Sequence, residues 1–403
     1  MNNNTRKKKR WPESFVGKAF IVCLLVLIIA NLLYPSHEKS DEENRMLTQK
    51  PKLTVGNLTS GGYMEQYEAY QADQFIGRNF LRKVKVTLNR IGGSKEENGV
   101  FIGKKGQLLE DIVVPEQENL KANLTAIKEF TQEYSKIPVS MILVPDAASV
   151  LSSRLPSLAK VADQNASISQ VKKELGDSVQ WIDAVKTMNK HKDEKIYYKT
   201  DHHWTTLGAF YTFQEAASTL GISADVSSAY VSYPVATDFN GTLAAKSGCR
   251  MGEKEEIDIY VPKDADNDVT VNYVDEQVKT TSLYESAKLK TRDKYAVFLG
   301  GNTSLIDIKT MSPEPKRLLV IKDSYANSFV PFLTPYFREI VMVDPRYYTG
   351  NIQDVMETYQ ITDVLFLYNG NTFFQDNNIS GVLSSGQSNE AGVHTEEGAD
   401  PAE

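Results

Sequence analysis

Cysteine is almost missing from this 403-residue sequence. The two copies, Cys23 and Cys249, cannot build a disulfide framework, a four-cysteine zinc site or a Cys-x-x-Cys redox pair. Positive charge is also short. The formal net charge is −7, which gives no basic surface for displacing counterions, so no nucleic-acid partner is expected. Low-complexity composition is lacking as well: 41% hydrophobic and 24% charged residues exclude wholesale disorder. Polar side chains are missing altogether from residues 19–30, and that local absence is the first positive signal.

The apolar run extends over 15–34, interrupted only by Gly17, Lys18 and Asn31. A helix of that length rises ~30 Å, enough to cross a bilayer. Lys18 can snorkel to the interface. A basic block, Arg6, Lys7, Lys8, Lys9 and Arg10, precedes the run, and Glu38, Asp41, Glu42 and Glu43 follow it. That asymmetry predicts a single-pass cell-membrane anchor with residues 1–14 cytoplasmic and an extracytoplasmic body. A cleaved signal peptide is the alternative, although no small-x-small site follows Ala30.

Beyond the anchor, residues 35–62 read as a linker and 63–379 as an α/β domain. Helical spacing runs from Tyr63 to about Arg90, a hairpin is predicted over 98–110, and 118–136 is a helix. Apolar strands at 139–144 and 179–182, with a helix at 168–176 between them, signal a parallel sheet with both faces covered. That rhythm resumes in strands at 317–321, 339–343 and 363–367. A β-rich insertion, about 224–308, separates the two parts. Residues 380–403, rich in Ser, Gly and acids, read as a disordered tail.

Two places could carry chemistry. Thr200-Asp201-His202-His203-Trp204 brings two of the five histidines next to a carboxylate, just before a helical run at 205–220. In an extended segment Asp201 and His203 share a face, which is the inner half of a nucleophilic triad. A solvated turn with capping Asp and Thr is the bland reading. Metal binding would need a third ligand, and His37, His191 and His394 have no suitable surroundings. The second place is Ser324, where the strand of 317–321 turns toward a helix starting near Asn327. A serine there faces the ligand edge of an open α/β sheet, though an N-cap would use the same residue. Asn369 ends another strand at that edge, either as an amide donor or as a turn former.

Asp201-His202-His203-Trp204, with Ile321-Lys322-Asp323-Ser324-Tyr325-Ala326, resembles the bacterial DHHW family. That family is related to the SGNH-hydrolase-like O-acetyltransferases of alginate and other polysaccharides. The resemblance spans most of 63–375, including Asp73–Arg78, Asn98–Phe101 and Gly241–Gly248. It implies an SGNH-like, flavodoxin-like parallel sheet in circularly permuted order, with the Asp-His block first and the serine later. It further implies Asp201, His203 and Ser324 as a triad and Asn369 as the oxyanion donor. His202, Trp204, Tyr325, Arg346 and Tyr347 become substrate-side contacts, the last two from Asp344-Pro345-Arg346-Tyr347-Tyr348.

The expected function is therefore O-acetylation of a cell-surface polysaccharide by an anchored envelope enzyme, with no cofactor. Acetyl-CoA is cytosolic, so a multi-spanning membrane O-acyltransferase is the partner that the resemblance implies as acyl supplier. A carbohydrate esterase would use the same triad. A noncatalytic glycan-binding or assembly subunit would keep only the fold, and a metal-dependent hydrolase would need further ligands.

Overall fold

The computed structural model describes residues 13–40, 42–43, 45–249, 254–263 and 268–390. The basic block at 6–10 lies outside them. Two units are distinguished, Met1–Gly93 and Ser94–Glu403.

In the first unit the apolar run forms helix α1, Glu13–Leu33. Among the described residues its Phe15–Leu33 segment alone is long and apolar enough to cross a membrane, and none of it is buried. The helical spacing from Tyr63 to about Arg90 is realised as two helices, α2 (Gly62–Gln74) and α3 (Arg78–Ile91). The break falls where Phe75 is extended and Gly77 takes φ +72°, a left-handed backbone that suits glycine. The expected linker is not loose. Arg45 forks Asp73 at 2.6 and 2.9 Å, and the Thr48 N–H and hydroxyl both donate to the same carboxylate at 2.9 Å. The Arg45 bond, with Thr48, holds the Asp73 carboxyl down to about 2.

In the second unit, Val100–Ile102 pairs antiparallel with Leu108–Glu110 as the expected hairpin. Leu120, Leu124, Ile127 and Phe130 recur at helical spacing and give α4 (Gln117–Glu133) its buried face. Strand β1 (Val139–Val144) is wholly buried. Helix α5 (Gln164–Leu175) starts where the Asp163 side chain accepts the Ala166 N–H, and β2 is Gln180–Ile182. Thr205 caps α6 (Thr206–Ala216) by accepting the Gly208 N–H.

The presumed insertion divides. Strands β3 (Tyr230–Phe239) and β4 (Glu255–Pro262) form a separate antiparallel ribbon. Strands β5 (Val269–Tyr273), β6 (Val278–Thr280) and β7 (Leu305–Thr310) instead extend the main sheet. Next come β8 (Arg317–Lys322), β9 (Glu339–Val343), α7 (Ile352–Thr358) and β10 (Asp363–Asn369). A short helix α8 (Gly370–Gln375) follows, then α9 (Ile379–Glu390). Helix α9 corrects the expectation of disorder from residue 380, because Val382 and Leu383 supply apolar surface that is buried in the core. Residues 391–403 lie outside the described residues.

The main sheet has eight strands in the order β6-β5-β7-β9-β8-β10-β1-β2. From β9 to β2 neighbours run parallel, while β7, β5 and β6 continue it antiparallel. Alternate residues of β8 serve opposite faces: Leu318 and Val320 pack with Trp204, Phe213 and Phe329, whereas Leu319 and Ile321 pack with Leu124, Ile127 and Val355. Burial on both faces explains the unbroken apolar runs. Their parallel pairing brings the ends of β1, β8, β9 and β10 to one carboxyl edge, carrying Asp146, Asp323-Ser324, Asp344 and Asn369.

Candidate active site

The segment before α6 is pinned on several sides. Glu255, at the start of β4, accepts from the Lys199 and Thr200 amides at 2.8 Å and from the Thr200 hydroxyl at 2.6 Å. The Thr200 carbonyl accepts the Ala244 N–H at 3.0 Å. Thus the chain bends tightly through 200–203.

Within that bend Asp201 Oδ1 accepts both the His203 backbone N–H, at 2.9 Å, and Nδ1, at 2.5 Å. Its Oδ2 accepts the Thr242 N–H at 2.7 Å and the Thr242 hydroxyl at 2.9 Å. Asp201 and His203 therefore meet through a local turn, not through the side-chain alternation of a strand. Gly241 makes room for the carboxylate, since a Cβ there would lie 2.3 Å from Asp201 Oδ2.

Across the sheet edge, His203 Nε2 lies 2.7 Å from Ser324 Oγ. A proton on Nδ1, donated to Asp201, leaves Nε2 as the acceptor of the serine hydroxyl. Ser324 is half-buried and its hydroxyl turns to the imidazole; the alternative N-cap role falls to Tyr325 instead. Asp323 fixes this turn, accepting the Tyr325 N–H and the Asn369 N–H at 2.9 Å each. The structure thus brings Asp201, His203 and Ser324 into one hydrogen-bonded chain.

The electrostatics favour a neutral base beside an ionised carboxylate. Burial opposes charge on Asp201, but the two imidazoles and the Thr242 N–H hold its carboxyl well below the usual range. Burial, then the neighbouring His202, pulls His203 down to about 4, against the pull of Asp201. At neutral pH an uncharged imidazole can therefore receive a proton.

Other expected contacts have different surroundings. Trp204 and Tyr325 are fully buried and cannot meet a substrate. Their polar ends tie the two site segments together: the indole N–H donates to the Tyr325 carbonyl at 3.1 Å and to Ser328 Oγ at 3.0 Å, and the Tyr325 hydroxyl donates to the His202 carbonyl at 2.5 Å. The Asn369 amide is also committed. One amide N–H donates to Asp146 at 2.7 Å and the amide oxygen accepts the Thr372 N–H at 2.7 Å as the cap of α8, so an oxyanion role would fall to the second amide N–H. Asp146 is itself held by Gln164 and the Asn371 N–H, with burial pushing it up to about 7.

His202 keeps some exposure, and its Nδ1 lies 2.7 Å from Thr242 Oγ1. Because that hydroxyl donates to Asp201, it accepts from His202. The Arg346 guanidinium forks the buried Asp344 at 2.6 and 2.8 Å. Tyr347 is 53% exposed beside it. Asp201, His202 and His203 are close enough to share a metal ion. Yet Asp201 accepts on both oxygens and both His203 nitrogens are engaged, so a metal would have to displace the serine chain.

Sequence reading missed Tyr295. Its ring stacks on His203 with centroids 3.7 Å apart and planes 11° apart, and the His202 ring centroid lies 3.9 Å from that of the same imidazole. Its hydroxyl donates to Ser328 Oγ at 2.9 Å. One tyrosine among twenty, in a region without clear periodicity, carries no signal of that contact. Thr242 and Glu255 were equally silent.

A family model described as "DHHW protein" matches residues 133–343, just over half of the chain. The crystal structure of a DHHW family protein from Eubacterium siraeum is similar in fold, with TM-score 0.62 and 23% identity over 72% of this chain and 96% of that one. Bacillus cereus PatB1, solved with a sulfonyl adduct, is similar with TM-score 0.58 and 22% identity over 69% and 98%. No curated protein matches the chain. With its Asp-His block preceding its serine on a largely parallel α/β sheet, the chain belongs to the DHHW family.

Proposed function

We propose that this protein is a membrane-anchored, extracytoplasmic O-acetyltransferase of a cell-envelope polysaccharide. The observation that carries the reading is the hydrogen-bonded series Asp201–His203–Ser324, with the imidazole uncharged and its free nitrogen on the serine hydroxyl.

Ser324 Oγ attacks the carbonyl of an acetyl donor while its proton passes to His203 Nε2. The oxyanion of the tetrahedral intermediate is received by the Ser324 backbone N–H at the strand end. Collapse expels the leaving oxygen, which takes the proton from His203 and leaves an acetyl-serine. A sugar hydroxyl then gives its proton to His203, attacks the acetyl group and restores Ser324. Asp201 keeps Nδ1 protonated throughout and balances the imidazolium.

The sulfonyl adduct of PatB1 supports nucleophilic chemistry in a relative of the same fold. An exported domain has no cytosolic acetyl-CoA, so a multi-spanning O-acyltransferase is the proposed supplier. Hydrolysis would use the same residues with water as acceptor. The test is a sulfonyl fluoride followed by peptide mass mapping, combined with acetyl transfer from a small ester to glycan oligomers. Labelling at Ser324 with transfer exceeding hydrolysis supports the reading. Labelling with hydrolysis alone makes the protein an esterase, and no labelling removes the nucleophile.

A further inference from the structure

Helix α3 carries an apolar stripe that no described residue of its unit covers. Phe80, Leu81, Val84, Leu88 and Ile91 fall within one side of the helix, and all are exposed, from 38% at Val84 to 79% at Ile91. Val86 projects roughly opposite at ~100° per residue and is the buried residue of the helix, so α3 rests on its unit with the stripe turned away. Every charged residue of α3 is basic: Arg78, Arg82, Lys83, Lys85 and Arg90. Glu43 pairs with Arg78 and Glu42 with Lys83, while Lys85 and Arg90 are exposed along the helix.

The position of this helix decides what could cover the stripe. Asn31, in the last turn of α1, donates to Gln71 at 2.7 Å and accepts the Ile76 N–H at 3.0 Å. Those bonds hold the start of α3, two residues beyond Ile76, against the end of the apolar span. We propose that α3 is an interfacial helix, lying in the headgroup layer of the bilayer that α1 crosses. Its stripe enters the acyl boundary, and Lys85 and Arg90 meet anionic lipid phosphates. A protein partner would need a matching apolar groove at that one depth; the bilayer is already there. The inference rests on α1 being a membrane anchor.

The test uses the full chain in vesicles of equimolar phosphatidylcholine and phosphatidylglycerol. A thiol-reactive, environment-sensitive fluorophore is placed at native Cys23 in a Cys249→Ala chain. In chains that also carry Cys23→Ser, it is placed at Leu88→Cys, Ile91→Cys or Asn79→Cys. Lipids brominated in their acyl chains should quench Cys23, Leu88→Cys and Ile91→Cys, but not Asn79→Cys. Lys85→Glu with Arg90→Glu should reduce quenching at Ile91→Cys toward the level found in phosphatidylcholine alone. Quenching at Cys23 without quenching at Leu88→Cys and Ile91→Cys overturns the interfacial helix and leaves the anchor standing. Probes at these two positions that are shielded from water yet untouched by the brominated lipid assign the stripe to a protein partner instead. Absence of quenching at Cys23 overturns the anchor and the helix proposal together.

Discussion

The Trp204 indole N–H donates to the Tyr325 carbonyl, 121 residues further along the chain, at 3.1 Å. That contact joins the segment bearing the histidine to the turn bearing the serine, with both side chains fully buried. Trp204→Phe should therefore leave the Tyr325 carbonyl without this donor at a cost of about 1–3 kcal/mol. Thermal melting should show that loss. Because the two segments set the His203–Ser324 distance, kcat should fall more than KM rises; an unchanged kcat in a destabilised protein would mean that the tie is structural only.

Ser324→Ala removes the oxygen proposed to attack. His203→Ala removes its proposed base. Each should lower hydrolysis of a small acetyl ester by roughly 10³-fold or more, and the double variant should be hardly worse than either, because such groups act as a unit. His202→Ala should be milder. Metal chemistry would give another pattern, with sensitivity to both histidines, inhibition by chelators and tolerance of Ser324→Ala.

Gly241→Ala tests the carboxylate without changing any group in the hydrogen-bonded series. The added Cβ would stand 2.3 Å from both the Asp201 Cβ and Oδ2, so the carboxylate must shift. Overpacking of this kind costs about 1–3 kcal/mol. The matching functional expectation is a kcat approaching that of Asp201→Ala. Wild-type kcat at wild-type melting temperature would show that the loop absorbs the methyl group harmlessly.

How much of this could be read from the sequence follows from the range of each interaction. The strands β1, β8, β9 and β10 announce themselves because burial on both faces demands consecutive apolar residues. The residues 201–204 and the turn at Ser324 are local strings of unusual composition, so they too stand out. Tyr295, Thr242 and Glu255 reach the site only through tertiary folding, and nothing beside them in the chain marks them. Trp204 and Tyr325 show the converse: aromatic residues beside the proposed nucleophile and base suggest a substrate platform, yet their rings fill the core. The joining of β5–β7 to the main sheet is likewise set by long-range pairing, not by their own pattern.

Orientation of the proposed anchor is predicted from charge. Lys and Arg at 6–10 precede the span and acids follow it, which predicts a cytoplasmic N-terminus. A reporter that works only after export, fused after residue 45, should be active. Activity there of a reporter restricted to the cytosol would reverse the topology and place the site away from envelope glycans.

Acid dependence offers the last test. His203 sits at about 4, drawn down first by burial and then by His202. The acid limb of kcat/KM should lie near pH 4, well below the ~6.5 of an ordinary histidine. Replacing His202 with glutamine removes the neighbouring imidazole that pulls His203 down and should move that limb upward. Stability follows the same sign. The folded state holds its proton less tightly than the unfolded chain, so the unfolded chain binds more protons between about pH 6.5 and 4. Folding stability should therefore be fully present above pH ~6.5 and decline as the pH falls toward 4. Asp201, also held low, should extend the decline below the ordinary Asp range. In His203→Ala the loss between those two pH values should shrink. An acid limb at ~6.5 that ignores the His202→Gln change would show that burial and His202 do not set the protonation of the base.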